Sequence, residues 1–111
     1  MTSEPKRDRL PAGDWDQQQH SSSWTYLSNH AHVLICLVGD PQARLRDIAQ
    51  QVRITERGVS RILSELEEAG VIEKERVGRR NRYQLDLDGP LRHPLESHAT
   101  LADLIRILSR K

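Results

Sequence analysis

The sequence predicts a mainly helical fold carrying one small antiparallel hairpin. Three observations lead there. Apolar residues recur at i, i+3, i+4, i+7 in two successive short segments, a continuous apolar run precedes them, and two alternating segments around Gly78 follow them.

Taken in order, residues 1–23 combine Pro5, Pro11 and Gly13 with a polar tract at 17–23 and show neither helical nor strand periodicity. Burial there could not offset the entropy of ordering, so a flexible N-terminal segment is expected, with Trp15 its one large apolar side chain. Residues 29–38 are almost wholly apolar after His32 and stop at Gly39-Asp40-Pro41, which predicts a buried helix with a firm end. Leu45, Ile48, Ala49 and Val52 then form one face of a short helix, with Arg46, Asp47, Gln50 and Gln51 outward. After a break at Arg53-Ile54, Thr55 is a good N-cap for a longer helix over 55–70. Its apolar face is Val59, Ile62, Leu63 and Leu66, and Ala69-Gly70 closes it.

Residues 71–77 and 81–87 read as strands joined at Gly78-Arg79-Arg80, which makes a hairpin. A connector with Gly89, Pro90 and Pro94 leads to a final amphipathic helix expected over 95–108. Its seam is Leu95, Ala99, Ala102, Ile105 and Leu108, broadened by Leu101 and Leu104. The expected organisation is a flexible segment at 1–23, a folded domain at 24–88 and a C-terminal helix at 89–111.

Composition excludes several classes. Hydrophobic residues are 36% and charged residues 30%, as in a globular domain with a heavily charged surface. The longest apolar run, 33–38, is far short of the ~18 residues of a membrane span. Without an apolar N-terminal segment of the secretory kind, a cytoplasmic location is expected. Cys36 is the single cysteine, so no disulfide forms within the chain, and its apolar surroundings predict a buried, inert thiol. Neither His30 with His32 nor His93 with His98 has a nearby cysteine or carboxylate partner, so no metal or other cofactor is expected. No phosphate-cradling loop, nucleophile motif or paired-acid arrangement suggests an enzyme.

Charge is more informative in its distribution than in its sum. The net charge is +1, yet residues 44–82 hold ten basic side chains against seven acidic ones. Glu65, Glu67, Glu68 and Glu73 cluster, whereas Arg79, Arg80 and Arg82 stand together without an acid. If the apolar row of the 55–70 helix faces the core, a rotation of about 100° per residue turns Arg57, Ser60, Arg61 and Ser64 the other way. Guanidinium forks and short hydroxyls in the N-terminal half of such a helix suit the edges of base pairs in a major groove. Arg46, on the preceding short helix, is a further candidate DNA contact, and Arg79, Arg80 and Arg82 would follow a phosphate backbone or enter a minor groove.

Helix, short helix, turn, longer helix and basic hairpin is the order of a winged helix-turn-helix. The stretch 45–83 resembles winged-helix transcriptional regulators of the MarR and ArsR type, most specifically over Val59-Ser-Arg-Ile-Leu-Ser-Glu-Leu-Glu-Glu-Ala-Gly-Val-Ile. That resemblance implies a bacterial-type regulator of double-stranded DNA, with Arg57, Ser60, Arg61 and Ser64 as groove residues and Arg79, Arg80 and Arg82 as wing residues. The C-terminal seam is expected to join two copies into a homodimer, since paired recognition helices read half-sites about one helical turn apart. No sequence motif identifies a small-molecule effector. A rival expectation is a winged-helix protein-interaction module without DNA binding, using the acidic stretch at 65–75.

Overall fold

The computed structural model describes residues 24–109. The expected flexible segment at 1–23 lies outside the described residues. Helix α1 (Asn29–Gly39) starts at Ser28, whose hydroxyl accepts from the Ala31 N–H, and buries Ala31, Val33, Leu34 and Leu37. Helix α2 (Leu45–Val52) buries Ile48 and Ala49. Helix α3 (Glu56–Glu68) is capped by Thr55, whose Oγ1 accepts from the Gly58 N–H at 3.0 Å, and it buries Val59, Ile62, Leu63 and Leu66. Gly70, at φ 79°, lets the chain leave this helix for the sheet.

Strands β1 (Ile72–Val77) and β2 (Arg80–Leu85) pair antiparallel, from Ile72 opposite Leu85 to Val77 opposite Arg80. The turn is therefore two residues, Gly78 and Arg79, with Gly78 at φ 62° in the first central position, as type II′ hairpin turns require. On the outer edge of β2, the Tyr83 N–H donates to the Pro41 carbonyl at 3.0 Å, tying the hairpin to the α1–α2 loop. These helices and the hairpin enclose one core, in which Val33, Leu37, Ile48 and Val59 are the most deeply buried side chains. Among the described residues no helix is long and apolar enough to cross a membrane.

The C-terminal part departs from expectation. Residues 94–98 form turns rather than helix, and the last helix, α4, is Leu101–Ser109. The reason is competition for backbone. Leu91 N–H donates to the Ala99 carbonyl and Leu101 N–H to the Gly89 carbonyl, so the connector pairs with residues that a longer helix would need. Thr100 then starts α4 with a reciprocal cap: its Oγ1 accepts from the Asp103 N–H while an Asp103 oxygen accepts from the Thr100 N–H. Those bonds and the Arg106 guanidinium hold the Asp103 carboxyl below the usual aspartate range. Leu95, expected on the seam, is 84% exposed in the turn, while Ile105 faces α1 within its own chain's core. Leu95, Ala99, Ala102, Ile105 and Leu108 are thus not one continuous helical stripe.

The α2–α3 turn stores strain at a single residue. Arg53 closes α2 at φ 71°, ψ 43°, the left-handed region that a side chain with a Cβ disfavours by about 1–2 kcal/mol. Glycine loses more entropy on folding, which offsets part of the relief. Arg53→Gly is therefore expected to raise the unfolding free energy by about 0.5–1 kcal/mol in chemical denaturation. A loss of stability would show that the Arg53 side chain makes a compensating contact.

Candidate nucleic-acid interface

With Val59, Ile62, Leu63 and Leu66 buried, α3 turns Arg57, Ser60, Arg61 and Ser64 to solvent, all four exposed. Arg46 is exposed in the first turn of α2. The free N–H groups at the start of α3 and its helix dipole add positive potential at the end nearest Arg57. This end, and not the acidic C-terminal end, suits a polyanion.

The three hairpin arginines occupy different settings. Arg79 is exposed at the turn. Arg82 is exposed and stands opposite Glu75, which accepts a hydrogen bond from Gln84 Nε2 at 3.1 Å. Arg80 is half-buried and donates from Nη2 to the Gln42 carbonyl at 2.8 Å, while its Nε is buried without a partner. Arg80 therefore fastens the hairpin to the α1–α2 loop. Beside it lies an open cleft of about 410 Å³, floored by Ile48, Leu63 and Tyr83 and rimmed by Arg44, Arg79 and Arg80.

One contact on α3 joins residues far apart in sequence. Glu65 Oε1 lies 2.6 Å from His30 Nε2 on α1, and Glu65 Oε2 lies 3.7 Å from Arg61 Nη1. The Arg61–Glu65 pair is legible as an i, i+4 spacing. The histidine is not, because it comes from 35 residues earlier.

Cys36 is partly buried, its thiol pushed up by desolvation, and it donates to Gln51 Oε1 at 3.1 Å. Among the described residues no group of three metal-ligating side chains gathers. His93, one of the histidines considered as ligands, instead accepts the Leu95 N–H at Nδ1.

A family profile described as a domain of unknown function, DUF7343, matches residues 26–86. The chain belongs to the DUF7343 family. In this DUF7343 chain the match begins just before α1 and ends one residue past β2, so it takes in the whole helix-turn-helix and its wing. Among curated proteins none matches the sequence.

A solved structure shares the fold, and others are similar over part of it. MepR, a transcription regulator of the Staphylococcus aureus multidrug efflux pump MepA, is 19% identical, with 86% of this chain and 64% of that one covered and a TM-score of 0.51. Lactococcus lactis ZitR in complex with DNA is 19% identical over 68% of this chain and 64% of its own, at a TM-score of 0.49. PcaV from Streptomyces coelicolor, in complex with its natural ligand, is 25% identical over 67% of this chain and 59% of its own, at 0.47. All three are longer proteins, and the DUF7343 chain spans less than two thirds of each. Among the described residues, four helices and a two-stranded hairpin form a winged helix of the MarR-like kind.

The contrast between neighbouring arginines is measurable. Arg80→Ala is expected to lower stability by about 1–2 kcal/mol through loss of a charge-assisted bond to Gln42, whereas Arg79→Ala should stay within about 0.5 kcal/mol. Equal effects of the two substitutions in thermal denaturation would remove Arg80 from the scaffold.

Proposed function

We propose that the chain is a sequence-specific transcriptional regulator that binds double-stranded DNA as a homodimer in the cytoplasm. Helix α3 enters the major groove, and Arg79 and Arg82 lie on the backbone or in the minor groove. Arg80 holds the wing that carries them. The observation that carries this reading is the outward row of Arg57, Ser60, Arg61 and Ser64 on a helix whose rotation is fixed by four buried apolar residues. The likeness to MepR, a transcription regulator, agrees with it. Binding would act on transcription by occluding a promoter or by recruitment to it.

Readout and anchoring separate experimentally. Arg61→Ala is expected to cost about 1–3 kcal/mol on the preferred site and to relax one base position, while Arg79→Ala weakens all duplexes alike and lowers the salt slope by about one. The measurement is fluorescence anisotropy against duplexes selected from the host genome and against random duplexes, across a salt series. Equal losses on both duplex classes for Arg61→Ala would reduce Arg61 to a phosphate contact. Absence of duplex binding even at low salt would favour a protein-interaction module, the reading that Glu75 opposite Arg82 on the wing supports.

For pairing, the C-terminal segment 89–111 offers apolar side chains without an internal partner. Leu95, Ile107 and Leu108 are 84%, 68% and 37% exposed, and exposed apolar groups of this size mark association sites when they lie together. Ala99 and Ala102 are half-buried beside them in sequence. Changing Ile107 and Leu108 together to glutamate is expected to give a folded monomer by sedimentation and to weaken DNA binding. A variant that stays dimeric would move the interface elsewhere.

A further inference from the structure

We propose that Glu65, held by His30, is a positioning residue for Arg61, and that protonation of His30 frees the Arg61 guanidinium for DNA. This deepens the reading of α3 as a recognition helix and rests on it. An ionised carboxylate only accepts hydrogen bonds, so His30 must present an N–H at Nε2 in its 2.6 Å contact with Glu65. While the imidazole is neutral, Glu65 keeps its full negative charge and draws the Arg61 side chain one turn back towards the acidic end of α3, where Nη1 stands 3.7 Å away. Once His30 is charged, two cations share one carboxylate. The imidazolium holds the shorter contact, and Arg61, its side chain 68% exposed, is the group free to leave.

The net charge of the three side chains then rises from zero to one positive, on the face that would meet phosphate. Among the described residues, no other charged group lies within ion-pair distance of His30 or Glu65. On α1, His32 bonds to Asn29. On α4, Asp103 pairs with Arg106, and neither Arg46 nor Asp47 of α2 is within ion-pair distance of Glu65 or His30 among the described residues. Histidine is the side chain that changes charge between pH 5 and 8. DNA binding is therefore linked to proton uptake at His30, and affinity is higher when the imidazole is charged.

The test is anisotropy of the full chain with a mixed-sequence duplex at fixed ionic strength, near pH 8 and near pH 6. An exposed i, i+4 pair is weak, so the expected tightening at the lower pH is about two- to fivefold. His30→Gln, which can still donate to Glu65 but carries no charge, should bind at the weaker level with no such response. Glu65→Gln should bind more tightly than the wild type near pH 8, and both Glu65→Gln and Arg61→Ala should show a smaller response than the wild type. A flat wild-type profile, or a response that survives in His30→Gln and so belongs to another of the chain's five histidines, overturns the proposal while leaving DNA binding intact. No duplex binding by any form at either pH overturns the recognition-helix reading and this proposal with it.

Discussion

The packing of one row of side chains decides what the rest of the molecule can present. Val59, Ile62, Leu63 and Leu66 of α3 meet Val33, Leu34 and Leu37 of α1 and Ile48 of α2 in a single cluster. Interiors are packed at near-crystalline density, so this row fixes the rotation of α3 about its axis. A slip of one residue would turn every side chain by about 100° and bury Ser60 or Arg61 in place of an aliphatic group. The exposed face thus follows from the buried one.

Electrostatics then gives that face a direction. The chain is nearly neutral overall, but the N-terminal half of α3 carries Arg57 and Arg61 against the single acid Glu56, and the helix ends with Glu65, Glu67 and Glu68. Its dipole reinforces the difference, positive at the arginine end. A phosphate-bearing partner is drawn to one end and repelled from the other. Glu65 sits at the boundary between the two halves, which is why a contact from α1 onto that one carboxylate reaches the candidate interface.

The elements from α1 to β2 were legible because each carries a local signal that packing did not overrule: the apolar run of α1, the spaced rows of α2 and α3, the Thr55 cap and Gly78 at the hairpin turn. The start of the C-terminal helix does not follow its apolar spacing, for a definite reason. Apolar spacing continued back to Leu95, but Thr100-Leu-Ala-Asp is a capping signal, and pairing of residues 89–91 with 99–101 claims the backbone before it. The candidate site divides in the same way. Arg57, Ser60, Arg61 and Ser64 follow from periodicity, whereas the tether of Arg80 to Gln42 and the contact of His30 with Glu65 span 38 and 35 residues. Contacts of that kind depend on how elements dock, and no local pattern encodes them.

The central claim is that the N-terminal half of α3 is the surface that meets DNA. Amide chemical-shift mapping during titration with a short duplex tests it directly, because it reports position without requiring the operator to be known. The account predicts shifts concentrated between Thr55 and Ser64 and at the hairpin turn around Arg79, with residues 67–75 little changed. Shifts centred on the acidic stretch at 67–75, or none on α3 at a duplex concentration that saturates binding, would contradict it.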